Sequence, residues 1–356
     1  MDESHEEVPL TFSQRFGMFL GQSISFNALV WLFFIVNMLN YIERSIIPGC
    51  SIEMEEFVSA TISDNPDTFL GLLQSSFIFG FCIACIIFGY CVSLKSPFLI
   101  VCIGLIVWFL ASILSGIAWN YWVLLVARLF SGVGEAAFQI VVPAFIDDFA
   151  PKTLIGTAMA RLYMAIPVGT AVGYALSGFV AEHYSWRLMY LATAPLMIPF
   201  IIILWYYPLD HLKELHNASD ELCEDKDEIP EKVDNSDSDS VTVVKNPVLR
   251  SVGKMLITPV FLLAVFGEAA AVFISTGFTS FGTIFLKNLH MFETETMSAL
   301  VVGCLGCLAG VIGAYIGGNS LDVLMRLRDS YSPLYNYYTH LFLYDIIIHF
   351  SFIAFL

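Results

Sequence analysis

The chain has 356 residues, of which 57% are hydrophobic and 13% charged, with a mean hydropathy of +0.75. Soluble globular domains are about 45–50% apolar and about 25% charged, so there is too little polar surface here to coat a water-soluble protein of this length. The net charge of −16 argues against nucleic acid as a partner, and no phosphate-binding glycine loop, metal-ligand cluster in a polar loop or nucleophile–base pair points to an enzyme or to a cofactor.

The chain opens on MDESHEEV, which is acidic and lacks a basic stretch leading into an apolar core, so residues 1–25 read as a cytosolic tail rather than a secretory signal. Beyond it the apolar residues come in blocks of about 20, the length that crosses a hydrocarbon core of roughly 30 Å. Nine spans are expected, at about 26–49, 68–93, 97–117, 120–143, 156–181, 186–207, 257–286, 295–319 and 335–356. The first six form an N-terminal bundle over residues 26–207, and the last three a partial C-terminal bundle over 256–356.

In the first span Asn37, Asn40 or Tyr41, Arg44 and Pro48 recur at steps of three to four residues, which draws one polar stripe along an otherwise apolar helix. Glu43 sits beside Arg44. Each charge at bilayer depth costs roughly 2.5–3.5 kcal/mol on insertion scales, so such residues line polar cavities or pair with one another. A helix ending near Tyr41 would instead place the pair at the water interface. The second span carries Cys82 and Cys85, and the eighth Cys304 and Cys307, but both CxxC pairs lie in apolar helical runs, where they read as small helix residues.

In the fourth span Arg128, Glu135 and Gln139 are spaced by seven and four residues and share a face, while Gly132 and Gly134 let another backbone come close. Arg128 and Glu135 fit a paired network with Glu43 and Arg44. A polar segment with Asp147, Asp148, Pro151 and Lys152 separates the fourth and fifth spans. Gly169, Gly173 and Ser177 or Gly178 give the fifth a small-residue face for tight packing.

Residues 208–255 are acidic and poor in aromatics, the composition of a disordered cytosolic linker, with Ser236, Ser238 and Ser240 as candidate phosphorylation sites. The sequon at Asn217 faces the cytosol in this layout. In the seventh span Glu268, Ser275, Thr279 and Thr283 fall on roughly one face and offer a second-bundle contribution to a cavity. Asp345 and His349, four apart in the ninth, have the spacing of a proton relay. Placing the N-terminus in the cytosol leaves only Arg187 and Lys287 on the opposite side, against Arg15, Lys95, Lys152, Arg161, Lys213, Lys226, Lys232, Lys245, Arg250, Lys254, Arg326 and Arg328 on the cytosolic side, which fixes the expected orientation.

Six spans, a long linker and further spans is the layout of a two-bundle transporter. LNYIERSIIPG in the first span, GLLQSSFIFGFCIACIIFGY in the second, ARLFSGVGEAAF in the fourth and AIPVGTAVGYALSG in the fifth resemble, in order, the helices of Spinster-like lipid transporters within the major facilitator superfamily. The resemblance covers 26–207 well and 255–322 more weakly. It implies an all-α polytopic membrane protein working by alternating access, with amphipathic lipids such as lysophospholipids or sphingosine phosphates as substrates and protons as the coupling ion. Glu43 takes the place of the family's first-helix acid, Arg44 matches its neighbour, and Arg128 and Glu135 match the fourth-helix pair.

Proton coupling is therefore expected at Glu43, Arg128 and Glu135, and substrate contact at Asn40, Tyr41, Arg44, Arg128, Gln139, Glu268 and Ser275. Protonation of Glu43 would release Arg128 to a phosphate headgroup. The stretch from Gly89 to Lys95 lacks the acid and arginine of the superfamily's loop signature, whereas Gly317, Gly318 and Asp322 keep part of the related one. The expected protein is a monomer among membrane lipids, in a lysosome-like, endosomal or plasma membrane. With nine spans the last three helices of the layout are expected to be missing. Two other readings follow: a carrier of a sugar or organic anion, and a truncated, non-transporting membrane protein or scaffold.

Overall fold

The computed structural model describes residues 25–62, 65–92, 94, 96–151, 154–207, 258–289 and 295–328. Residues 1–24 of the expected tail, the whole expected linker over 208–255, and the ninth span with Asp345 and His349 lie outside the described residues. Among the described residues the secondary structure is helical. The elements are α1 (Phe26–Arg44), α2 (Ile46–Gly49), α3 (Ser51–Ser59), α4 (Pro66–Val92), α5 (Pro97–Gly116), α6 (Tyr121–Phe149), α7 (Ile155–His183), α8 (Arg187–Leu196), α9 (Ile198–Tyr206), α10 (Pro259–Asn288) and α11 (Glu295–Arg328).

Local chemistry sets several helix starts. Ser25 caps α1 by accepting from the Ala28 N–H, and Asn120 caps α6 by accepting from the Val123 N–H at 2.9 Å. Ser96 caps α5, with Pro97 in the first turn where its missing N–H costs nothing. Prolines also set the breaks. Pro48 has no N–H for the Arg44 carbonyl, so the first expected span divides at Ser45 into α1 and α2. Pro199 does the same to the Pro195 carbonyl and divides the sixth into α8 and α9.

Among the described residues, seven helical stretches are long and apolar enough to cross a membrane: Phe26–Arg44, Pro66–Val92, Pro97–Gly116, Tyr121–Phe149, Ile155–His183, Arg187–Tyr206 and Leu300–Ser320. The seventh expected span forms α10, whose apolar run Phe261–Ile274 is shorter than a full crossing. The fourth helix corrects its expected boundary. It continues past Pro143 to Phe149, so Asp147 and Asp148 stand exposed on its last turn rather than in a loop. A proline is tolerated inside a membrane helix where neighbours and local adjustment satisfy the freed carbonyl.

Glycines allow the backbones to meet. α6 is the central helix and runs against both α4 and α5. A Cβ on Gly134 would lie 2.5 Å from the Trp108 nitrogen and 2.7 Å from the Gly104 oxygen on α5. A Cβ on Gly80 of α4 would come 3.0 Å from the Leu129 carbonyl carbon of α6. The small-residue face of α7 packs on α1, where a Cβ on Gly169 would lie 2.5 Å from the Met38 oxygen and one on Gly173 2.8 Å from the Ile42 oxygen. A different side of α7, with Ala160, Pro167 and Ala171, takes Gly318, Gly310 and Gly303 of α11, so α11 lies lengthwise on the first bundle.

Candidate functional site

Two crossed ion pairs lie where α1 meets α6. Glu43 Oε1 is 3.6 Å from Arg128 Nη1, and both side chains are almost completely buried, at 2% and 1% exposure. Ser131 of α6 donates to Glu43 Oε1 at 2.8 Å, and Ser112 of α5 donates to Oε2. Both carboxylate oxygens are thus occupied, whereas Arg128 Nε, Nη1 and Nη2 are buried without a hydrogen bond among the described residues, so the arginine depends on its charge contact with Glu43.

The second pair is less deeply buried on its arginine side. Arg44 meets Glu135 as a fork, Nε donating to Oε2 at 3.0 Å and Nη2 lying 2.7 Å from Oε1. Arg44 keeps 24% exposure while Glu135 keeps 1%. A fork of this kind is stronger and more directional than a point-charge contact. Gln139, one turn along α6, donates to Asn37 Oδ1 at 2.8 Å and to Glu135 Oε1 at 3.4 Å. Asn37 in turn donates to the Leu162 carbonyl at 3.0 Å, which ties α7 into the same network.

Phe77 of α4 separates the two arginines. Its ring centroid lies 4.7 Å from the Arg44 guanidinium carbon and 4.8 Å from that of Arg128. Arg44 also lies over Tyr41 at 4.9 Å and Phe81 at 5.4 Å. Aromatic faces attract a guanidinium and shield it from water at the same time. The approach of α4 that brings Phe77 here is made possible by Gly132, where a Cβ would lie 3.0 Å from the Phe81 nitrogen.

The expected site residues divide accordingly. Glu43, Arg44, Arg128, Glu135, Gln139 and Tyr41 come together. Asn40 is buried nearby on α1, and its amide makes no hydrogen bond among the described residues. Arg128, expected at both the coupling and the substrate positions, is sealed behind Phe77, while Arg44 keeps an open edge. Glu268 and Ser275 lie on α10, with side chains outside those described. The four CxxC thiols are free on α4 and α11. Ser112, Ser131 and Phe77 were not read from the sequence. Ser131 stands three residues from Arg128 and four from Glu135, so helical spacing alone could have found it. Nothing local marks Ser112 or Phe77, because packing alone brings α5 and α4 to this point.

Paired charges buried among helices long enough to cross a membrane mark a functional site in a membrane protein. The Major Facilitator Superfamily model matches residues 12–328, and the chain belongs to that family. It is 30% identical over 308 residues to the Arabidopsis thaliana protein named "Probable sphingolipid transporter spinster homolog 2", covering 83% of this chain and 61% of that protein. It is 25% identical over 314 residues to human "Protein spinster homolog 1", covering 83% of this chain and 54% of that one. The chain therefore spans between about half and two thirds of the length of these relatives. Among solved structures, a bacterial homolog of the human lysosomal transporter Spinster, inward-facing and unoccupied, superposes with a TM-score of 0.58 at 16% identity, covering 92% of this chain and 74% of that one. A D-xylose-proton symporter superposes with a TM-score of 0.59 at 15% identity, covering 92% and 79%. At these identities the structural likeness speaks for the fold alone.

Proposed function

We propose that the chain carries an amphipathic lipid with an anionic headgroup, of the lysophospholipid or sphingosine-phosphate class, across the membrane by alternating access coupled to protons. The observation that carries this reading is the division of labour between the two ion pairs. One is sealed, with both oxygens of Glu43 occupied by Arg128 and two serines. The other has an arginine with an open edge, Arg44, held in shape by Glu135.

Glu43 is the coupling acid in this reading. A proton on its carboxylate cancels the attraction to Arg128 and removes an acceptor site from the serines. The uncompensated arginine then favours another arrangement of α1 against α6. Arg44 is the headgroup contact, because a phosphate competes with the Glu135 carboxylate for the same planar donors. This assigns Arg128 as the internal counter-ion of Glu43 and not as a substrate contact. The names of the Arabidopsis relatives, which specify sphingolipid transport, support the lipid class.

The test is proton-gradient-driven uptake of a lysolipid into proteoliposomes by the wild type and Glu43→Gln. Loss of the pH dependence in the variant is expected. Uptake with the same pH dependence in both would show that Glu43 is not the coupling acid. A sugar or organic-anion carrier would instead transport a soluble solute in the same vesicles and leave the lysolipid untouched.

A further inference from the structure

Arg161 is a charged residue near the start of a helix long and apolar enough to cross a membrane. It lies six residues into α7, about 9 Å from the start of the helix. Helical spacing puts it on the same flank as Val172, Leu176 and Phe179, which are exposed apolar residues of a lipid-facing surface. That flank is neither the side holding Gly169 and Gly173 against α1 nor the side holding Ala160 and Pro167 against α11. The two ion pairs at the centre of the bundle do not include Arg161.

The side chain leans back along the helix, as long helical side chains do, toward the first turn of α1. There Nη1 donates to Asn27 Oδ1 at 3.1 Å, and the guanidinium carbon stands 6.0 Å from the Trp31 ring centroid. Trp31 is itself 47% exposed. The 29 residues of α7 are about 43 Å long against a hydrocarbon core of roughly 30 Å, so its first turns reach the headgroup layer. Tryptophan at this level is the usual marker of the membrane–water boundary. Among the described residues the guanidinium meets one neutral amide and one ring face, which leaves further N–H groups to donate.

We infer that Arg161, Asn27 and Trp31 form a binding site for the headgroup of an anionic phospholipid in the cytosolic leaflet, in the groove between α1 and α7. The ligand is a resident bilayer lipid, because the groove lies on the lipid-facing flank, away from Arg44 and Glu135. The fork supplies paired hydrogen bonds to the phosphate, and Trp31 packs on the glycerol and upper acyl region. Occupancy clamps the first turns of the two helices, which meet again further along at Gly169 and Gly173.

The experiment uses the full chain reconstituted with diacyl phosphatidylglycerol brominated near its carbonyl groups, titrated into unlabelled phosphatidylcholine. Tryptophan quenching is read as the difference between wild type and Trp31→Phe, since the chain has six tryptophans. Wild-type Trp31 should half-saturate at a mole fraction about fivefold below that of Arg161→Gln, the attraction expected of one arginine at an anionic surface. Arg161→Lys should fall between them, and all three proteins should share a melting temperature. Equal half-saturation in wild type and Arg161→Gln overturns the site. Equally selective quenching by brominated phosphatidylcholine overturns its anionic character. Preference for a brominated single-chain lysolipid over the diacyl lipid overturns the assignment to a resident lipid. Because the readout is binding, the site stands or falls apart from lysolipid transport.

Discussion

Glu43 and Arg44 are neighbours in the chain, yet their side chains belong to different ion pairs. Successive residues of a helix point about 100° apart, so Glu43 meets Arg128 while Arg44 meets Glu135. Seven residues, almost two turns, separate Arg128 from Glu135 on α6, so one helix presents both counter-charges to one short stretch of α1. The arrangement is antiparallel in charge: acid then base along α1, base then acid along α6.

The sealed pair sets the first prediction. Breaking a buried ion pair by removing one partner costs about 3–5 kcal/mol, because the other charge is left uncompensated. Arg128→Leu should therefore lower the stability of the purified protein by about that amount. Arg128→Leu combined with Glu43→Leu should recover most of the loss. Thermal or denaturant unfolding of the four proteins of this cycle gives the coupling energy, and a double variant no more stable than Arg128→Leu would rule out mutual compensation.

The serines that hold Glu43 are the subject of the second. A hydrogen bond to a charged group contributes roughly 1.5–3 kcal/mol. Ser112→Ala and Ser131→Ala should each destabilise by about 1–3 kcal/mol, although neither serine bears a charge. Ser320→Ala, on an exposed residue that donates to the Ile316 carbonyl of its own helix, should change stability by less than about 0.5 kcal/mol.

Glycine contacts give a third, with its own control. Gly134→Ala puts a methyl group 2.5 Å from the backbone nitrogen of Trp108, so α5 and α6 must move apart. Overpacking of this kind costs about 1–3 kcal/mol. Gly89→Ala, near the end of α4, meets no atom within 4 Å and should be neutral or slightly stabilising through helix propensity. Melting temperatures of the two variants should move in opposite directions or differ clearly in size.

The orientation inferred from the Lys and Arg bias gives a fourth. An epitope added at the N-terminus should become accessible to antibody only after the plasma membrane is opened. The Asn217 sequon should carry no glycan that an endoglycosidase can remove. A glycan at Asn217 would place the 208–255 segment on the opposite side and invert the topology.

The sequence by itself determined that this is a helical membrane protein and which charges stand within its apolar runs. Those conclusions rest on local quantities: span length, helical spacing and the cost of an unpaired charge in hydrocarbon. Arg128 and Glu135 are legible because a two-turn spacing on one helix fixes a shared face before any neighbour is present. Tertiary structure alone decided the pairing, since Glu43 faces Arg128 only when α1, α5 and α6 close around it with Ser112 and Ser131 in place. It also decided that Arg128 is sealed and Arg44 open, because Phe77 arrives from α4 through the gap left by Gly132. It also gave Arg161, near the start of α7, its contacts with Asn27 and Trp31 of α1. Burial, partner choice and exposure depend on how helices distant in sequence pack together, and a pattern read along one chain segment does not contain that information.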